Sequence, residues 1–157
     1  MLYTREENGL YSPATEDLIF AEANSISDAN LGRGELIISS DDAKPLIGWK
    51  MRHHKVEVFA CLFLDNAHHC LGFEEICAGT INCNTVHPRE VVKTAFQHDA
   101  AAVIFAHNHP SGNPEPSKQD IELTRQLINL LAPLQIRVLD HFIVGSQITS
   151  FADQNLM

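Results

Sequence analysis

The chain is short of basic residues, has no Cys-x-x-Cys pair and no long apolar run. Eleven Lys and Arg stand against 20 Asp and Glu, a formal charge of −9. Such a surface repels phosphate backbones, so charge alone gives no reason to expect nucleic-acid binding. The one local basic cluster, Lys50, Arg52, His53, His54 and Lys55, is short and reads as a solvated helix end. Four cysteines occur, at 61, 70, 77 and 83, with no pair at zinc-ribbon or thioredoxin spacing. Free buried thiols in a reducing cytoplasm are the simplest expectation. No apolar run approaches the ~18 residues of a membrane span, and MLYTREENG is too polar for a signal peptide. There is no internal repeat and no low-complexity tract.

What remains is an ordinary globular composition, 45% hydrophobic with eight Phe, in 157 residues. That length fits one compact domain. Residues 1–12 read as a polar tail. Pro13 suits the first position of a helix over about 13–26. LGRGE (31–35) is a loop. Ser39 or Ser40 can cap a second helix to about Lys50, with Asp41 and Asp42 favourable at its start.

From Val56 the pattern turns to strands. VEVFACLFL (56–64) reads as a strand buried on both faces. DNAHH is a turn, 70–79 a second strand, and 79–85 a connection. His87-Pro88 opens a helix to about His98. AAVIFAH (101–107) is another buried strand, and PSGNPEP (110–116) is irregular because its prolines break any ladder. A helix from Ser117 to about Ala132, a strand over 136–144 and a short one over 147–151 complete the chain. This order predicts an α/β or α+β fold, one sheet with helices on its faces. Residues 1–52 are expected to form an N-terminal helical extension and 53–157 the main domain.

HNHPSGNPEPSKQD (107–120) carries the chemistry. His107 and His109 end a buried strand, and residues two apart on a strand share a face. Asp120, across the loop, is a possible third ligand. Three protein ligands with an open position describe a catalytic zinc site. Ser117 and Asp120 also have the spacing of a helix cap, and the two roles are compatible. Contiguous His-Asn-His is no match to the HNH nucleases, whose residues are separated. The zinc-deaminase pattern, His-x-Glu with a later Pro-Cys-x-x-Cys, is absent.

His-x-His, seven residues, Ser, two residues and Asp resembles the signature of the JAMM (MPN+, JAB1-like) metalloproteases. VHPREVVKTAFQHDAAAVIFAHNHPSGNPEPSKQDIELT (86–124) and IRVLDHFIVG (136–145) resemble the bacterial RadC family, over about Val56 to Phe151. The resemblance implies a curved mixed β-sheet flanked by helices, of cytidine-deaminase-like architecture. It also implies one Zn2+ per chain on His107, His109 and Asp120. Glu57, in KVEVFACLFLD, matches the family's acid/base residue, and Ser117 the serine that helps hold an oxyanion. A carboxylate inside that apolar strand needs a partner, which a metal site would supply.

The implied activity is hydrolysis of a peptide or isopeptide bond in a peptide or protein substrate. The alternative is an accessory role in DNA repair, recombination or prophage biology without turnover. The short N-terminal part resembles family members lacking the helix-hairpin-helix module. Asn108 is expected to point away from the ligands, and Ser111 and Gly112 to shape the rim. His141 reads equally as a support for the site or a core histidine. His87 reads as a helix N-cap. His53, His54, His68 and His69 read as surface residues.

Overall fold

A computed structural model describes residues 2–6, 9–30, 34–79 and 86–157. It divides into two compact units, 1–32 and 33–157. The packing therefore parts the chain at 32/33 rather than at the expected 52/53.

The first unit corrects the expected polar tail. Strands β1 (Tyr3–Arg5) and β2 (Tyr11–Pro13) pair antiparallel, with Tyr3 opposite Pro13. Gly9 takes φ +82° in the turn, a left-handed conformation that suits glycine. Pro13 thus ends a strand instead of opening a helix. Helix α1 (Glu16–Asn30) starts after Thr15, whose Oγ1 accepts from Leu18 N, the N-cap pattern.

In the second unit, helix α2 (Ser40–Met51) follows N-cap Ser39 in a capping box closed by Asp42. Strand β3 (Val58–Leu64) is buried at every residue, as a strand covered on both faces must be. It pairs antiparallel with β4 (Cys70–Ala78) on one side and β5 (Ala102–Asn108) on the other. Strand β5 runs parallel to β6 (Arg137–Val144), and β7 (Ile148–Ser150) closes the edge antiparallel. The sheet order is β4-β3-β5-β6-β7. Helix α3 (Pro88–Gln97) follows N-cap His87, as expected, and α4 (Lys118–Leu131) is the crossover that the parallel β5–β6 pair requires.

The two-residue period of β3 and β5 divides the core. Phe59, Cys61, Phe63, Val103 and Phe105 pack with Val91 and Ala95 of α3 and with Leu127 and Leu131 of α4. Helix α2 packs on β5, β6 and β7, takes no part in that cluster, and covers the opposite face with Ala43, Leu46, Ile47 and Met51. His107 shares the α3/α4 face with Phe105, and Asn108 takes the α2 face.

The loop expected at 31–35 is described only from Gly34, where Glu35 O and Gly34 N already bond to Cys70. Most of the expected connection over 79–85, with Cys83, lies outside the described residues. Cys61 and Cys70 are free and buried as expected, whereas Cys77 is disulfide-bonded, which corrects the expectation of free thiols there. Among the described residues, no helix is long and apolar enough to cross a membrane.

Candidate metal centre

Strand β5 delivers His107, and the chain leaves the strand one residue later. His109 N still bonds to Val144 O at 2.9 Å, so the ladder with β6 carries His109 into place. The two imidazoles stand edge to face, with ring centroids 5.0 Å apart. The loop then returns to α4 at N-cap Ser117. Ser117 Oγ accepts from Asp120 N at 3.1 Å, and Ser117 N donates to Asp120 Oδ2 at 2.7 Å. Asp120 therefore closes the expected capping box and also faces the histidines.

His107 Nδ1 lies 3.1 Å from Asp120 Oδ1, and His109 Nε2 lies 3.4 Å from Asp120 Oδ2. Two ligand atoms at tetrahedral angles, each about 2.0–2.1 Å from zinc, stand about 3.3–3.4 Å apart. The two observed contacts, to different oxygens of Asp120, lie close to that length. One ligand atom from each of the three residues lies within 4.8 Å of the others, a grouping that can hold a metal ion. His109 Nδ1–H donates to Asn113 O at 2.9 Å, which leaves Nε2 turned toward Asp120. Backbone orientation of a ligand imidazole through its second nitrogen is typical of metal sites. The donor set of two imidazoles and one carboxylate suits Zn2+.

The electrostatics fit the same picture. Burial acts to raise the Asp120 pKa, but hydrogen bonds from His107 and Ser117 outweigh it and hold the carboxyl well below the usual range. Asp120 is thus an anion, and in this arrangement His107 Nδ1–H donates to it. His141, fully buried beneath the site, has its pKa lowered to about 3 by burial first and by His107 next, so it is a neutral imidazole.

A groove of about 570 Å³ opens beside these ligands. Glu57, Phe59, His107, Asp120, Glu122 and Leu123 are among its lining residues. Glu57 precedes β3 by one residue and is exposed, so the expected carboxylate inside the buried strand is not found. The apolar run misled because Val56 and Glu57 lie ahead of the ladder. Glu57 nevertheless lines the groove that His107 and Asp120 line.

Asn108 does point away from the ligands, and it does something the sequence did not suggest. Its Oδ1 accepts from Val58 N at 2.7 Å, and its Nδ2 donates to Val56 O at 2.9 Å. The amide thus clamps the peptide groups on both sides of Glu57. Gly79 N holds Glu57's own carbonyl at 2.7 Å. Asn113, Thr124 and Gly145 were also missed. Gly145 lets the loop close: a Cβ there would stand 2.7 Å from the Asn113 carbonyl carbon and oxygen. Asn113 lies five residues before α4 in a stretch that reads simply as irregular, and no local signal marks it. The rim residue Gly112 accepts from Ser146 N at 2.8 Å, tying the loop to the β6–β7 turn.

The other histidines stay outside the centre. His54 Nε2 is 3.1 Å from Glu75, and His69 Nδ1 is 3.1 Å from Asp65. His53, His54, His68 and His69 are half-buried rather than fully on the surface. Among the described residues, His107, His109 and Asp120 form the one grouping able to hold a cation.

A mixed five-stranded sheet flanked by helices, with a His-His-Asp group at the end of a central strand, defines the JAB class of domain. The chain belongs to the RadC-like JAB domain family, which matches residues 37–156. It is 51% identical over 128 residues to a UPF0758 protein of Thioalkalivibrio sulfidiphilus, covering 82% of this chain and 57% of that one. A UPF0758 protein of Vibrio cholerae is 41% identical over 152 residues, covering 97% of this chain and 96% of that one. One of Coxiella burnetii is 49% identical over 119 residues, covering 75% and 53%. The chain thus spans little more than half the length of two of these relatives and nearly all of the third.

Proposed function

We propose that this chain is a zinc-dependent hydrolase of the JAMM type that cleaves a peptide or isopeptide bond, with one Zn2+ per chain. The observation that carries this reading is the grouping of one ligand atom each from His107, His109 and Asp120 within 4.8 Å of one another, beside a groove that His107, Asp120 and Glu57 line. Zinc held there supplies a Lewis acid and lowers the pKa of water toward about 7.

The chain's own residues do the rest. Glu57 takes a proton from the attacking water and returns it to the leaving amine. Ser117 Oγ already accepts from Asp120 N, so its hydroxyl proton is the one it has to donate, and it donates toward the developing oxyanion. The groove's Phe59 and Leu123 exclude water from one side of the substrate and strengthen those contacts. The partner is a peptide or protein segment in the cytoplasm. The charge of −9 argues against the alternative of a nucleic-acid accessory role.

The test measures zinc content and cleavage of a peptide library by the purified chain. Wild type holds about one zinc. Glu57→Gln keeps the zinc and loses cleavage by about 10²–10⁴-fold. His109→Ala loses the zinc. Wild-type protein that takes up no zinc at all ends this reading.

A further inference from the structure

Asp120 is held at its backbone as well as at its carboxylate. Thr124 Oγ1 lies 2.6 Å from Asp120 O and 2.6 Å from His141 Nδ1. Thr124 and His141 are both fully buried. Two short contacts share a single hydroxyl proton, so its direction can be deduced.

Suppose the proton points to the imidazole. Then Thr124 Oγ1 and Asp120 O face each other as two acceptors at 2.6 Å, and His141 must carry its hydrogen on Nε2. That nitrogen is buried with no hydrogen-bond partner. Around the ring stand Phe59, Phe105 and Phe151. Suppose instead that the proton points to Asp120 O. Then His141 Nδ1–H donates to Thr124 Oγ1, both contacts become hydrogen bonds, and only an imidazole lone pair is unmatched. A buried orphan N–H is the rarer and costlier defect. The order is therefore His141 Nδ1–H to Thr124 Oγ1–H to the Asp120 carbonyl.

We propose that this ordered pair is a brace that sets the direction in which Asp120 presents its carboxylate. His141 stands on β6, and its backbone N and the Asp140 carboxylate are joined at 2.7 Å. Thr124 stands one helical turn beyond Asp120 on α4. The brace therefore ties the first turn of α4 to the sheet strand that also carries His109 through Val144. His141 and Thr124 are positioning residues, and neither belongs to the group that can hold the cation. The inference rests on reading His107, His109 and Asp120 as a metal site.

Two measurements on the full chain test it. In metal-free wild type at pH 7, long-range 15N correlation spectra report which nitrogen of His141 carries hydrogen, with His141→Asn giving the assignment. The Nδ1–H tautomer is expected, and an Nε2–H tautomer overturns the brace. Zinc dissociation constants are then measured by chelator competition for wild type, Thr124→Val and Thr124→Ser. Thr124→Val keeps the shape and loses the hydroxyl, and it should bind zinc about 10–100-fold more weakly. Thr124→Ser restores the hydroxyl and should bind close to wild type. A Thr124→Val protein that is less stable yet binds zinc as wild type does has lost only packing, and that overturns the brace. If Thr124→Val does not fold, the wild-type tautomer decides alone. Wild type without zinc affinity ends the metal reading, and the tautomer still decides whether the brace exists.

Discussion

Replacing Asn108 by Leu removes the clamp on Glu57 while leaving the three candidate ligands on the other side of the sheet untouched. Three contacts go: from Val58 N at 2.7 Å, to Val56 O at 2.9 Å and to His54 O at 3.4 Å. Val58 is 1% exposed, so its N–H is left buried and unpaired, at about 1–3 kcal/mol. Val56 is exposed, and water takes over its carbonyl, so the loss there is about 0.5–1 kcal/mol. The contact at 3.4 Å is too long to add much. The sum is about 1.5–4 kcal/mol. With a urea slope of about 1–3 kcal/mol/M, the unfolding midpoint should fall by about 0.5–4 M. The single Trp, Trp49 in α2, reports the transition by fluorescence in metal-free protein. Zinc affinity should stay near wild type while peptide cleavage falls, because the clamp acts on Glu57. A midpoint shift under about 0.3 M refutes the energetic argument. Equal loss of zinc and cleavage refutes the claim that Asn108 serves Glu57 in particular.

Three further outcomes follow from the same contacts. Ser117→Ala removes the acceptor for Asp120 N and should cost the metal-free protein about 0.5–2 kcal/mol in urea unfolding, with no cost if the cap is idle. Hydrogen bonds hold the folded Asp120 carboxyl below its unfolded value of about 3.9, so its contribution is complete above that value and is lost as pH falls toward the folded one. The stability gap between metal-free wild type and Asp120→Asn should therefore narrow below about pH 4, and a gap constant to pH 3 contradicts the assignment. Gly145→Ala drives a Cβ into the Asn113 carbonyl, which is backbone and cannot swing aside. It should release His109 Nδ1 and weaken zinc binding about tenfold or more, read by chelator competition.

What the sequence disclosed and what it hid divide by distance along the chain. Strands β3, β5 and β6 were legible because a strand covered on both faces must be apolar throughout, and such runs stand out locally. The grouping able to hold a cation was legible because His107, His109 and Asp120 fall within 14 residues, and a cap marks the helix that presents the third. Asn108 was only half legible: the strand period gave its face, but its partners lie 50 and 52 residues away. Thr124 and His141 are separated by 17 residues and two elements, and neither type announces a shared proton. Glu57 was placed in the right region and the wrong environment, because an apolar run does not show where the ladder begins. The first hairpin was missed for a related reason. Its three-residue strands are too short for alternation to be read.

The contacts around Asp120 bear on whether this centre would need a cation in order to form. A buried carboxylate without partners is costly, and Asp120 is 5% exposed. Here it is satisfied by Ser117 N and by His107 Nδ1–H, while His109 is aligned separately by Asn113 O. The protein thus stabilises its anion with the groups that zinc would otherwise have to organise. A structural zinc site leaves its ligands unpaired until the metal arrives, and folding waits for it. Here the two histidine nitrogens already stand 3.1 and 3.4 Å from the Asp120 oxygens. A neutral His107 would free Nδ1 for a cation by moving its hydrogen to Nε2. The sheet, the cap and the loop hold these three side chains by themselves, so a metal bound there would be free to serve chemistry rather than folding.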